Sequence, residues 1–140
     1  MTLSIRNQLP GTVLGIASGE VLSTVSVRLA GGQEITAAIT VEAVNDLGIT
    51  AGSPVRVLMK STEVALATGT VDGLSIRNRI PGTVVAVATG GAMAGVKVAV
   101  AGGELTAAIT KDAAAELGLA AGSEVTALVK STEVALATER

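Results

Sequence analysis

The sequence predicts a mainly β protein made of two tandem small barrels, each with one short α-helix. Three observations carry this prediction. The chain repeats itself: Leu3-Ser4-Ile5-Arg6-Asn7 returns as Leu74-Ser75-Ile76-Arg77-Asn78, and Lys60 to Thr68 returns unchanged as Lys130 to Thr138. A repeat of this length is a duplicated small domain rather than one unit of a typical solenoid. It divides the chain into modules at 1–69 and 70–140. Within each module, short apolar runs alternate with polar residues, the period of a half-buried strand. One stretch per module departs from that period and takes a helical one.

The elements follow in order. Leu3 to Leu9 places Leu3, Ile5 and Leu9 on one side and Ser4, Arg6 and Gln8 on the other, which predicts a strand. Pro10-Gly11 predicts a turn, and Thr12 to Ala17 a second strand. Val21 to Leu29 alternates again, with Val21, Ser23, Val25, Val27 and Leu29 on one side. Gly31-Gly32 predicts a hairpin turn into a returning strand, Gln33 to Ile39. Thr40 suits the N-cap of a helix over Val41 to Leu47. Gly48 suits its left-handed stop, with Ile49 packing back. After the turn at Ala51-Gly52-Ser53-Pro54, Val55 to Met59 and Val64 to Ala67 complete the module. The second module repeats the plan, with Pro81-Gly82 and Gly102-Gly103 as turns, Thr110 as cap and Gly118 as stop. Its copy of the repeated sequence lacks one residue, near Gly102-Gly103. Strands, a helix, then strands suits a closed barrel of the OB type with the helix plugging one end. A β-sandwich is the next choice.

Composition limits what such a chain does. There is no Phe, Tyr or Trp, and small side chains bury little area each, at roughly 25 cal/mol per Å². Modules of this size and composition gain from burial against neighbours, so a homo-oligomer is expected. No run reaches the ~18 apolar residues of a membrane span. The first residues lack a basic start followed by an apolar stretch, so no secretory signal is expected. With no Cys there is neither a disulfide framework nor a thiolate metal site. The reading is a cytoplasmic protein away from the membrane. The net charge is −2 with no basic block, and stacking aromatics are absent, which argues against a nucleic-acid partner.

Catalysis has few candidate groups. The chain has no His and no Cys, and no carboxylate pair recurs in a setting suited to acid–base work. Lys60 adjoins Ser61, but the spacings of a Ser–Lys hydrolase are absent. Zinc lacks ligands and calcium lacks an oxygen cluster, so no bare metal cation and no cofactor are expected.

The two halves have drifted unevenly. Val21 to Leu29 has become Ala92 to Val100 with polar positions freely exchanged, whereas the Ser/Arg/Asn and Lys/Ser/Thr motifs are intact. Those motifs are rich in donors. Ser4 and Arg6 lie two apart on one predicted strand, so they share a face. Arg offers five N–H donors, Lys three, and the hydroxyls of Ser61 and Thr62 add to them. Thr40 adds a hydroxyl beside the free amides of a helix start. A tetrahedral dianion presents only acceptors, so an all-donor set with one Arg and one Lys suits it. The donor set alone does not choose among such dianions, sulfate included. Each residue also has a plainer role: Arg6 as a solvated charge, Lys60 as a blunt strand edge, Thr40 as a routine cap, Asn7 as a turn residue. The competing hypothesis is a self-associating structural or interaction module whose motifs maintain an interface.

The run at 4 to 13 and 75 to 84, Ser-Ile-Arg-Asn-Gln/Arg-Leu/Ile-Pro-Gly-Thr-Val, resembles the opening of the molybdate-binding Mop module. The run at 60 to 68 and 130 to 138, Lys-Ser-Thr-Glu-Val-Ala-Leu-Ala-Thr, resembles its close. Together they cover nearly the whole chain, which is similar to the tandem-module molbindins. The resemblance implies OB-like barrels, cytoplasmic binding of molybdate and tungstate, and no catalysis. It implies a trimer, a ring of six modules, in which the Ser-x-Arg-Asn strand of one module meets the Lys-Ser/Thr segment of another. It assigns the ligand to Ser4, Arg6, Asn7, Lys60 and Ser61 in the first module. In the second it assigns Ser75, Arg77, Asn78, Lys130 and Ser131. Thr40 and Thr110 join them on the helix-start argument. With no ATPase or DNA-binding portion visible in the sequence, storage or buffering of the oxyanion is the expected role.

Overall fold

The computed structural model describes residues 2–138. In the first half, β1 (Asn7–Ser18), β2 (Leu22–Leu29) and β3 (Glu34–Thr40) are followed by α1 (Val41–Leu47), β4 (Pro54–Met59), a 3₁₀ turn (Ser61–Glu63) and β5 (Ala65–Ala67). The second half repeats this as β6 (Asn78–Thr89), β7 (Met93–Val100), β8 (Gly103–Thr110), α2 (Lys111–Glu116), β9 (Glu124–Val129), a 3₁₀ turn (Ser131–Glu133) and β10 (Val134–Thr138). All pairings are antiparallel, in two five-stranded sheets.

The strand order differs from a simple tandem. One sheet runs β10-β4-β1-β2-β3 and the other β5-β9-β6-β7-β8. Each repeat therefore sends its last strand to the other. Val134 pairs with Met59 and Leu136 with Val57, while Ala65 pairs with Leu128 and Ala67 with Thr126. Alternation explains why these short strands are worth exchanging. Val134 is buried, and Leu66 and Leu136 are partly buried against the shared core. That core joins Val13, Val25, Ile35 and Met59 of the first repeat to Ile80, Leu105, Val129 and Val134 of the second. Valine is its commonest residue and no aromatic contributes, and it reaches useful size by spanning both repeats.

Several elements form as expected. Helix α1 spans Val41–Leu47, with Thr40 Oγ1 accepting from the Ala43 amide and Gly48 at φ 64°. Ile49 is buried beneath it. Ser23, Val25, Val27 and Leu29 all face the core, although Val21 lies outside β2 and is 70% exposed.

Pro10-Gly11 and Pro81-Gly82 are not turns. They lie inside β1 and β6, single long strands that merge the two predicted ones. Pro10 has no N–H to give, and it sits just beyond Gly11↔Leu29, the outermost pair with β2, so no ladder bond is lost. Gly11 is required by crowding. A Cβ there would lie 2.6 Å from Val27 Cγ1 and 2.9 Å from the Arg28 carbonyl. Farther along, a bulge between Val13 and Gly15 bends the strand. The predicted start at Leu3 also moves: the ladder opens at Asn7, and the preceding residues continue the alternation of burial without pairing.

Candidate functional site

The two motifs meet where β1 and β4 begin and end. The outermost pair of that ladder is Asn7↔Met59, so the next residues out are Arg6 and Lys60. In the second repeat the outermost pair is Asn78↔Val129, followed by Arg77 and Lys130. Each repeat thus presents one Arg and one Lys at the same end of the same two strands. All four are exposed. Among the described residues none of their side chains makes a hydrogen bond or ion pair, whereas Arg28 pairs with Glu34 at 3.4 Å and Arg56 donates to Gln8 Oε1 at 3.0 Å. Four cations left with solvent at repeated positions are available to a ligand.

The hydroxyls lie on either side. Ser4 and Ser75 are exposed on the irregular stretch before each first strand. Ser61 and Ser131 are half-buried at the start of the 3₁₀ turns. Because the last strands are exchanged, each 3₁₀ turn docks on the other repeat, Ser61–Glu63 against β8 and Ser131–Glu133 against β3. A depression of about 280 Å³ lies on this seam, lined by Thr62, Glu63, Ile76, Ile109, Lys130 and Glu133 among others. Ile76, between Ser75 and Arg77, therefore meets the Lys-Ser-Thr-Glu segment of its own repeat and that of the other. Glu63 and Glu133 in its lining oppose an anion. Lys130 is the lining cation that favours one, and Ile76 leads into Arg77.

Asn7 and Asn78 belong to the seam in a different way. Asn7 is 2% exposed and Asn78 1%. Asn7 Nδ2 donates to the Thr106 carbonyl and its Oδ1 accepts from the Thr106 amide, both at 2.8 Å. Asn78 makes the same two bonds to Thr36, again at 2.8 Å. Each amide side chain imitates a strand neighbour and ties one repeat's first strand to the other's third. Their side-chain amides are spent on the protein, and each anchors the strand start that follows Arg6 or Arg77.

Thr40 and Thr110 are occupied as caps, accepting from Ala43 at 3.0 Å and Ala113 at 3.1 Å. Thr40 borders a separate depression with Glu20, Glu42 and Asp46, three carboxylates that repel a dianion. The receiving backbone at Thr36 and Thr106 and the wall residues Ala108 and Ile109 are not marked in the sequence. Apolar and Thr positions in a strand carry no polar signature that marks a seam. Among the described residues no group of His, Cys, Asp and Glu is placed to hold a metal ion, and no helix is long and apolar enough to cross a membrane.

Comparison with known proteins gives concordant findings. A family model described as the TOBE domain matches residues 3–66 and again 74–136. The chain is 39% identical over 142 residues to the molybdenum transport protein ModE of Herbaspirillum seropedicae, covering 100% of this chain and 53% of that protein. It is 39% identical over 66 residues to molybdenum-pterin-binding protein 2 of Clostridium pasteurianum, covering 47% of this chain and 97% of that one. The chain spans about half the length of the curated relatives that it matches from end to end. A solved structure of the cytoplasmic molybdate-binding protein ModG, with molybdate bound, superimposes with a TM-score of 0.96 at 38% identity, covering 99% of this chain and 100% of that one.

Proposed function

The chain belongs to the TOBE-domain family, twice over, and from that premise we propose that it binds molybdate as a non-catalytic oxyanion carrier or store in the cytoplasm. One observation carries the reading: 99% of this chain matches a molybdate-bound structure at 38% identity with a TM-score of 0.96. The seam supports it. Arg6 with Lys60, and Arg77 with Lys130, are paired sets of unpartnered donors of matching charge for a tetrahedral dianion. Ser4, Ser61, Ser75 and Ser131 add neutral donors that set its orientation. Asn7 and Asn78 serve by holding the seam. Thr40 and Thr110, engaged as caps, are left out of the proposed donor set.

Tungstate, of the same shape and charge, is a ligand of the same sites on this reading. The assembly is a trimer. Both repeats leave large apolar side chains exposed at matching places, Leu14 at 38% and Val85 at 48%, Leu22 at 56% and Met93 at 46%, which supports further self-association.

Calorimetric titration with molybdate, tungstate and sulfate tests the proposal. Molybdate and tungstate are expected to bind at least ~10-fold more tightly than sulfate, about 1.4 kcal/mol. Equal competition by sulfate would remove the specificity claim. No signal with any of the three would leave the self-associating structural module as the better reading.

A further inference from the structure

The two repeats differ beside the binding motifs in a way that makes their sites unequal. In the first repeat Gln8 follows the Arg6-Asn7 pair. Its Nε2 donates to the Ile5 carbonyl at 2.8 Å, and its Oε1 accepts from Arg56 across the ladder at 3.0 Å. In the second repeat the corresponding positions are Arg79 and Thr126. The cation has moved from β4 to the first strand. Arg79 turns its guanidinium back on the segment that carries Ser75 and Arg77. Nε donates to the Ile76 carbonyl at 3.0 Å, Nη1 to Val71 at 3.0 Å and Nη2 to Leu74 at 2.7 Å.

Three fork-shaped bonds hold the second arm, at carbonyls on both sides of Ser75. One bond of this kind holds the first arm, at Ile5. Neither stretch lies in a strand before Asn7 or Asn78, so the anchoring side chain adds directly to what limits its freedom. An arm already held in its bound shape loses less conformational entropy when an anion arrives. A guanidinium is suited to this task because its donors are planar and fixed, whereas an ammonium offers a single point.

We propose that Arg79 is a positioning residue for oxyanion binding, which pre-organises the Ser75/Arg77 arm and makes the second-repeat site the tighter of the two in each chain. This rests on the molybdate-binding reading of the seam. It adds an order of filling: sites built on the Ser75/Arg77 arm first, those on the Ser4/Arg6 arm later.

The test isolates each site. Arg6→Ala protein retains the second-repeat sites and Arg77→Ala protein the first-repeat sites, and both are titrated with molybdate by calorimetry. Arg6→Ala protein is expected to bind at least ~5-fold more tightly. In the Arg6→Ala background, Arg79→Gln should lower affinity to the level of Arg77→Ala protein, and Arg79→Lys should lower it equally. Hydrogen exchange without ligand should rise at residues 71–77 in Arg79→Gln protein and stay unchanged across β7 and β8. Equal affinities of the two single-site proteins, full affinity with Arg79→Lys, or exchange rising throughout the second sheet would each overturn the proposal. Should Arg79→Gln protein not fold, Gln8→Arg with Arg56→Thr in the Arg77→Ala background is expected to tighten the first-repeat sites, and no gain overturns it. Absence of molybdate binding by the unaltered protein would instead defeat the proposed function on which this rests.

Discussion

At the scale of single residues, the seam separates side chains that hold the protein from side chains that await a ligand. Arg6 and Lys60 are exposed and, among the described residues, unpartnered. Arg6→Ala and Lys60→Ala are therefore expected to leave thermal unfolding nearly unchanged while weakening molybdate binding at the affected sites. The loss should be ~2–4 kcal/mol, as for truncating one partner of a hydrogen-bonded, partly desolvated charge pair, read by calorimetry. Asn7 should behave in the opposite way. It is 2% exposed, and Asn7→Ala would leave the Thr106 amide and carbonyl buried without partners. About 2–4 kcal/mol of stability should be lost, seen as a lower midpoint in urea. If Asn7→Ala instead spared stability and abolished binding, Asn7 would be a ligand donor and not a clamp.

At the scale of elements, Gly11 in β1 shows most clearly what a strand requires of its sequence. Gly11→Ala would press a methyl to 2.6 Å from Val27 Cγ1 and 2.9 Å from a backbone oxygen, and should cost about 1–3 kcal/mol as overpacking. Gly15, four residues on in the same strand, has open space where its Cβ would stand, so Gly15→Ala serves as the tolerated control in the same thermal melts. This contrast also explains what was legible in the sequence. The helix is written locally: Thr40, the apolar period and Gly48 each act within a turn of one another, so its bounds are read directly. Val25, Val27 and Leu29 likewise declare their core face by alternation alone. Pro10-Gly11 misleads because the same dipeptide serves a turn, where conformation demands it, and a strand crossing, where space demands it. Only the position of Val27, a partner in another strand, separates the two. The seam donors were visible because they repeat. The clamps on Thr36 and Thr106 were not, since a backbone group receives Asn whatever side chain it carries.

At the scale of the whole molecule, the exchange of β5 and β10 makes each repeat depend on the other. A chain of residues 1–69 alone would lack the strand that covers Val55, Val57 and Met59 on the outer edge of β4. It is expected to recover that cover from a second copy, by reciprocal use of β5, the general route of domain swapping. Light scattering with circular dichroism should then find a folded dimer, or an unfolded chain when dilute. A folded monomer would mean that β5 can turn back onto its own sheet and that the exchange is a preference, not a requirement.

The same exchange sets a timetable. A ribosome delivers the chain in order, and domains commonly complete themselves as they emerge. Here the reverse holds. Once Val129 has emerged, all five strands of the second sheet exist, with β5 already waiting for β9. The first sheet, begun at Asn7, still lacks Val134–Thr138. The half made first is completed last. Through most of synthesis its apolar edge at β4 stays open to other nascent chains.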